Sequence, residues 1–217
     1  MTKLRVFLII LALLSTSLSA QAEGEKAGQF DYYVLALSWS PTWCALTGDA
    51  RNSPQCDTDR NGPHDFVLHG LWPQNETGWP SYCNMSARDP SKQQTAAMAD
   101  IMGTTGAAWY QWKKHGRCSG LEAQAYLDLA RRAYDSVKIP DVFEQLRKDV
   151  TLPASVVEEA FLEANPQLSA DGVTVTCQSH RIQEVRICLT KDLTPRTCGA
   201  DVIRDCPLTD ARMDGIR

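Results

Sequence analysis

The chain has 217 residues, of which 43% are apolar and 8% aromatic, and it carries 22 Lys and Arg against 26 Asp and Glu. These proportions are typical of a folded domain and exclude both an intrinsically disordered chain and a fibrous repeat. The net charge of −4 excludes a generally basic, nucleic-acid-coating surface, so a polyanion would have to bind at a local basic patch.

Residues 1–22 have the pattern of a secretory signal peptide. A basic start with Lys3 and Arg5 precedes an apolar run too short to span a bilayer, and Ala20-Gln21-Ala22 matches a small-x-small cleavage site. We therefore expect an exported protein, secreted or periplasmic, whose residues 23–217 form one domain. No later apolar stretch reaches the roughly 20 residues of a membrane helix, which predicts that the mature protein has no membrane contact.

Eight cysteines follow the predicted cleavage site, and an even number in an exported chain favours four disulfide bonds. They are Cys44, Cys56, Cys83, Cys118, Cys177, Cys188, Cys198 and Cys206. Paired CxxC motifs are absent from the sequence, which argues against a zinc ribbon. We expect no metal or other cofactor.

The N-terminal third of the mature chain is predicted to contain two strands. Residues 30–39 alternate two largely apolar faces, which indicates a strand buried on both sides. A short second strand, Phe66–His69, is expected to stop at Gly70 and Pro73. Segments 47–65 and 74–90 are rich in Gly, Asn, Asp, Pro and Ser and are expected to be loops.

The middle of the chain shows helical spacing, and a hairpin follows it. Helices are predicted over residues 91–102, 107–116, 121–137, 141–148 and 153–165, and hairpin strands over 173–177 and 182–189. In the second hairpin strand Val185, Ile187 and Leu189 alternate with Glu184 and Arg186. The order of strands, helices and strands predicts an α+β fold with a mostly antiparallel central sheet and several helices packed on it.

Two segments contain histidines in unusual surroundings: Phe66-Val-Leu-His69-Gly-Leu-Trp72-Pro73 and Tyr110-Gln-Trp-Lys-Lys-His-Gly-Arg-Cys118. In the first, a strand ends at His69, and Trp72 offers a flat surface on which a base could stack. In the second, helical spacing places Gln111, Lys114 and His115 on one face. His64 and His180 lack such surroundings, and we expect ordinary structural roles for both.

Two imidazoles and a lysine are sufficient to cleave a phosphodiester that has an internal hydroxyl nucleophile, and RNA provides one. A neutral histidine can take the proton of the 2′-OH, a protonated one can donate to the departing 5′-oxygen, and a lysine can neutralise the phosphoryl oxygens. Histidine suits both roles because its unperturbed pKa is about 6.5. This chemistry requires no metal.

The two segments resemble the active-site motifs of the ribonuclease T2 family, FxxHGLWP and HEWxKHGxC, in order and in separation. Residues 30–39 also resemble the family's first core strand, and the last four cysteines resemble its C-terminal disulfide cluster. The resemblance implies a ribonuclease T2-like fold. It also implies a metal-independent endoribonuclease that cleaves single-stranded RNA through a 2′,3′-cyclic phosphate with low base specificity, without an obligate protein partner and as a monomer.

Carried onto this chain, the family mechanism implies that His115 is the base toward the 2′-OH and His69 the acid toward the 5′-oxygen. Lys114 matches the motif lysine that stabilises the pentacoordinate phosphorane, and Trp72 matches the motif tryptophan near the substrate. Two positions depart from the motif, because Tyr110 replaces its first His and Gln111 replaces its Glu. We expect Tyr110 to bind substrate by its hydroxyl and Gln111 to donate a hydrogen bond without exchanging a proton.

The resemblance also implies the disulfide pairing, which the sequence alone leaves open among 105 connectivities. The implied pairs are Cys44–Cys56, Cys83–Cys118, Cys177–Cys206 and Cys188–Cys198.

Two other functions are consistent with parts of the sequence. Because Tyr110 and Gln111 depart from the motif, the chain could be a catalytically weakened relative that binds RNA or a protein, although His69, Lys114 and His115 argue against this. A metal-dependent phosphodiesterase could use His64, His69, His115 and carboxylates such as Asp65, but no HxH or HExxH motif supports it.

Overall fold

A computed structural model describes residues 25–217 of the chain. The predicted signal peptide, residues 1–22, lies outside the described residues. None of the helices in the described part combines the length and apolar character that crossing a bilayer requires.

The described residues form a mixed α+β fold around a six-stranded sheet, as the sequence predicts. The strands are β1 Tyr32–Trp39, β2 Phe66–Gln74, β3 Val150–Leu152, β4 Val173–Gln178, β5 Arg181–Leu189 and β6 Ala211–Met213. They follow the order β2-β1-β5-β6-β3, and β4 pairs with β5 as the predicted hairpin. All pairings are antiparallel except the single parallel contact between β5 and β6.

Eight α-helices lie in the described part of the chain. They are α1 Ser40–Trp43, α2 Thr58–Asn61, α3 Lys92–Ala96, α4 Ala99–Met102, α5 Thr105–Lys114, α6 Ala123–Asp135, α7 Asp141–Glu144 and α8 Ala154–Ala164. The helix predicted over 91–102 is two short helices, and the one predicted over 141–148 ends at Glu144. Segment 47–65, predicted to be a loop, contains several short helical turns. Strands β3 and β6 were not predicted, because three residues are too few to show an alternating pattern.

Strand β1 is buried along its whole length, because other residues of the chain pack on both faces of the sheet. Its Leu35, Leu37 and Trp39 join the main apolar core with residues of α5, α6 and α8. On the other face, Tyr32 and Val34 pack against the Cys188–Cys198 disulfide and Val202. Beyond these residues the same face of the sheet is not covered and forms the floor of a cleft.

Strand β2 continues past the point where the sequence predicted its end, through Gly70 and Pro73. As an edge strand it tolerates proline, since one side of its backbone needs no partner. Its pairing with β1 shifts register at His69, because Ala36 faces Gly70 and Leu37 faces Leu68. His69 is thus the additional residue of a β-bulge, a feature that redirects a side chain from its regular position.

Four disulfide bonds cross-link the described residues, and they are the same pairs that the resemblance implies. They join Cys44 to Cys56, Cys83 to Cys118, Cys177 to Cys206 and Cys188 to Cys198. The Cys83–Cys118 bond fixes the loop after β2 to the turn that follows α5. Because Cys118 is the last residue of the second motif and Cys83 lies in the loop after the first, the bond restrains the relative position of the two motifs.

Candidate active site

The cleft lies between the bulge of β2, the middle of β5 and the C-terminal end of α5, and has a volume of about 320 Å³. All six residues that the sequence predicted for the site line it: His69, Trp72, Tyr110, Gln111, Lys114 and His115. Two segments about 40 residues apart in sequence therefore meet at one place. Its volume is within the range of cavities that bind small organic groups.

His69 is the partly exposed imidazole of the cleft, with 43% of its side chain accessible. Its Nδ1 atom hydrogen-bonds Oε1 of Glu184, which is on β5. Because a carboxylate only accepts, this contact places the proton on Nδ1 and leaves Nε2 as the atom that can exchange a proton with a ligand.

Glu184 is a buried carboxylate, with 3% of its side chain accessible. Its second oxygen accepts hydrogen bonds from Arg186 Nε at 3.0 Å and Nη2 at 2.8 Å. Burial by itself raises the pKa of Glu184, but the hydrogen bond and charge of His69, followed by the charge of Arg186, outweigh it and lower the pKa below its ordinary value. Glu184 is therefore ionised and holds His69 in a fixed orientation.

Trp72 contacts both histidines of the cleft. Its ring lies 5.1 Å from the His69 ring in an edge arrangement and 5.2 Å from the His115 ring, which it stacks on at 27°. The Arg186 guanidinium lies 5.4 Å from the Trp72 ring centroid. The indole surface is thus occupied in part by protein groups, so Trp72 orients the imidazoles in addition to facing the cleft.

Gln111 is connected to Trp72 by a hydrogen bond from the indole Nε1 to the amide Oε1, 2.8 Å long. This bond directs Oε1 of the amide toward Trp72. The Nε2 group is therefore the one that can donate a hydrogen bond into the cleft. Gly70 makes the bond possible, because a Cβ at that position would collide with both of its atoms. The glycine of the first motif therefore provides space for this bond, whereas the sequence analysis expected it to end the strand.

His115 is the buried imidazole of the pair, only 5% exposed, at the junction between α5 and a short 3-10 turn. Its Nδ1 has no hydrogen-bond partner among residues 25–217. Burial lowers the pKa of His115 to about 3, and the positive charges of Lys114 and His69 add to this effect. The ring is therefore neutral near pH 7, which is the form in which an imidazole accepts a proton.

Lys114 and Tyr110 form the outer lip of the cleft on α5. They are four residues apart and so lie on the same side of the helix. Tyr110 is 47% exposed, and its hydroxyl lies 3.4 Å from that of Tyr82. The lip therefore presents an ammonium group and a phenol to anything that enters.

A second depression of about 400 Å³ adjoins the first on the other side of His69. The two share His69, Tyr110, Gln111, Gln183 and Glu184 in their walls. An extended ligand could therefore occupy both while its central group faces the histidines.

The other two histidines lie apart from this cleft. His64 lines a separate small recess beside the Cys44–Cys56 disulfide, and His180 is exposed in the turn between β4 and β5. Within the described residues, the group of potential metal ligands within 4.8 Å of one another is Cys44, Asp49 and Cys56, whose cysteines are disulfide-bonded. Among the described residues, His64, His69 and His115 are thus not gathered within that distance, and the geometry does not support a metal site built from these three.

Sequence reasoning did not single out Glu184 or Arg186 as site residues. The signal that could have indicated them is their alternation with the apolar residues of β5, which places both on one face of that strand. The sequence could not show that this face lines a cleft, because His69 is 115 residues away.

The α+β fold and its two-histidine cleft define an enzyme of the ribonuclease type, and comparison with known proteins assigns the family. A profile described as the ribonuclease T2 family matches residues 30–198. A ribonuclease of Aeromonas hydrophila is 34% identical, with 93% of this chain and 90% of that protein aligned. The chain belongs to the ribonuclease T2 family and is a T2-type endoribonuclease.

Solved structures show the same fold. An RNase-related protein from Calystegia sepium superposes with a TM-score of 0.66 at 20% identity, covering 87% of this chain and 98% of that one. RNase NT, solved in complex with 5′-AMP, superposes with a TM-score of 0.55 at 19% identity, covering 86% and 99%.

Proposed function

We propose that the protein is an exported, metal-independent endoribonuclease that cleaves single-stranded RNA by transesterification. His115 takes the proton of the 2′-OH, the 2′-oxygen attacks phosphorus, and the bond from phosphorus to the 5′-oxygen breaks. His69 delivers a proton to that oxygen, leaving a 2′,3′-cyclic phosphate and a new 5′-OH. DNA lacks the internal nucleophile and is not cleaved.

The observation that carries this proposal is the difference between the two imidazoles beside Trp72. His115 is buried and neutral, as a general base requires. His69 has its Nδ1 proton held by Glu184, so Nε2 can carry the proton of a general acid. Pairs of titratable groups in contrasting environments are the physical basis for assigning acid and base roles.

The remaining cleft residues stabilise the transition state or bind substrate. Lys114 neutralises the charge on the phosphoryl oxygens, and the Nε2 group of Gln111 donates a hydrogen bond to one of them. Tyr110 contacts substrate through its hydroxyl and ring. Trp72 contacts the substrate while holding His115 in place.

Single-stranded RNA with little base selection is the expected substrate, because the cavities on either side of His69 can receive unpaired bases. Trp79 is 48% exposed on the wall of the first cavity and offers a stacking surface that accepts any base.

Export and assembly are further parts of the proposal. The N-terminal segment resembles a signal peptide, and four disulfides require an oxidising compartment. We expect a secreted or periplasmic monomer whose first residue is Glu23. Mass spectrometry of the exported protein tests the cleavage site, and light scattering tests the monomer.

The experiment that tests the activity incubates a defined single-stranded RNA with the purified mature protein in excess chelator, from mildly acid to neutral pH. Mass analysis of the products should find cyclic-phosphate ends that disappear with His115→Ala and persist with His180→Ala, a matched change at an exposed histidine. Absence of cleavage by the unmodified protein would favour the weakened, binding-only function, in which Tyr110 and Gln111 mark a lost activity.

A further inference from the structure

The exposed half of helix α5 carries lysines and aromatic rings in alternation. At 100° per residue, Lys114, Tyr110, Lys113 and Trp109 follow one another around the helix in steps of about 40 to 60°. We call these four residues the α5 band. It begins at the lip of the cleft, where Lys114 and Tyr110 lie, and ends at Trp109 on the side of α5 away from the cleft.

The two rings of the α5 band are exposed to an unusual degree for such large apolar groups. Tyr110 is 47% and Trp109 46% accessible. Exposed aromatic rings beside a nucleic-acid site are stacking surfaces for unpaired bases, because every base has a π face. Only the first half of this band, Tyr110 and Lys114, belongs to the cleft already described.

Neighbouring groups hold the α5 band in position. The ammonium of Lys113 lies 5.6 Å from the Trp109 ring centroid and 3.5 Å from Asp89, which offsets part of its charge. Tyr82 donates its backbone N–H to the Lys114 carbonyl at 2.8 Å, and its hydroxyl faces that of Tyr110. The rings therefore need little ordering when a ligand binds.

The charge of the α5 band is opposite to that of the chain as a whole. The protein has a net charge of −4, whereas α5 contains two lysines and no acidic residue. A phosphate that reaches the α5 band therefore meets two ammonium groups, of which that of Lys113 is partly offset by Asp89.

Resting on the proposed function, we propose that Trp109 and Lys113 form an additional binding site for the RNA strand, outside the two cavities. A base beyond the cleaved dinucleotide stacks on Trp109, and its phosphate pairs with Lys113. The continuity of the band with the cleft makes the substrate strand its occupant.

The test compares a dinucleoside monophosphate, which fills only the cleft, with a single strand of about ten nucleotides. Trp109→Ala should lower the ratio of kcat/KM for the longer substrate to that for the shorter one at least fivefold, the lower end of what one base–aromatic stack contributes. Trp109→Phe should retain most of this ratio. Val156→Ala, at an equally exposed apolar residue of α8, is the control that should leave it unchanged.

A second measurement addresses the charge. Binding of a fluorescent single strand to the His115→Ala protein should weaken with salt, and Lys113→Gln should reduce the slope of log K against log salt by about 0.7, as expected for one single-strand phosphate contact. Because this readout needs no cleavage, it still decides the inference if the proposed activity fails. An unchanged slope, or an equal effect of Trp109→Ala on both substrates, would overturn the additional binding site for RNA.

Discussion

A hydrogen bond that passes over strand β1 joins Nδ1 of His69 to the carboxylate of Glu184. The two residues are on β2 and β5, which flank β1 and are about 10 Å apart. Between them β1 has the small residues Ala36 and Ser38 on the face toward the cleft, and the bulge at His69 turns the imidazole toward β5. Small residues in the central strand are therefore a condition for this contact.

Glu184→Gln should lower kcat about tenfold or more while changing KM little. The amide can present its NH₂ group to His69, which favours the tautomer with the proton on the wrong nitrogen and removes part of the contribution of the general acid. Steady-state kinetics on a dinucleoside monophosphate measures the effect. Glu159→Gln makes the same chemical change at an exposed site of α8 and should leave kcat and KM unchanged. Equal kinetics for the two variants would contradict a positioning role for Glu184.

Gln111→Glu should retain activity but shift its pH dependence. The new carboxylate can still accept the Trp72 hydrogen bond, and its charge near His115 raises the pKa of that ring from about 3. Since the base must be neutral, the acid limb of kcat/KM moves to higher pH. The pH profile of kcat/KM, which reports on the free enzyme, is the measurement. A variant with the same rate and the same profile would show that Gln111 does not act as proposed.

Gly70→Ala should impair the site because its methyl group would push Trp72 and Gln111 apart. We expect a loss of about 1–3 kcal/mol in the free energy of unfolding, the usual cost of overpacking, together with a lower kcat. Gly106→Ala is the matched control, since a Cβ there meets nothing within 4 Å and alanine is the better helix former. Urea unfolding and kinetics of the pair test this, and equal stability of both variants would be evidence against steric crowding at Gly70.

The sequence indicated the buried strand, the hairpin and the two histidine segments because each has a local signature. It misplaced the end of β2, since Gly70 and Pro73 are strand breakers in most settings and only edge position and the bulge make them acceptable here. The helices of the middle region were predicted, but the helix over 91–102 is interrupted by a turn at Ala97 and Met98.

What the sequence could not supply is the electrostatic environment of the site. The opposite surroundings of His115 and His69 arise from burial and from residues far away in the chain, and no local pattern encodes either. Glu184 looks like any polar residue on an alternating strand until the sheet order places it across β1 from His69.

The protein should become less stable in acid as the side-chain carboxylate of Asp214, near the C-terminus, is protonated. Asp214 accepts hydrogen bonds from Arg181, from Arg212 Nε at 2.9 Å and from Thr42 at 3.1 Å. Burial by itself raises the pKa of Asp214, but the hydrogen bond and charge of Arg181 and the contacts of Thr42 and Arg212 lower it below the ordinary value of 3.8. A lowered folded-state pKa means that this stabilisation is present above pH 3.8 and is lost as the pH falls through the folded-state value.

Asp214→Asn should therefore reduce the free energy of unfolding by about 1.5–3 kcal/mol at pH 7, the range for hydrogen bonds to charged groups, and by much less near pH 2.5. Urea unfolding from pH 7 down to pH 2.5 measures the difference between the two proteins. Asp210→Asn, at an exposed carboxylate, should stay within about 0.5 kcal/mol at every pH. A difference for Asp214→Asn that is constant with pH would mean that the charge of Asp214 contributes nothing, because removing an ionised group must lose its effect once that group is protonated.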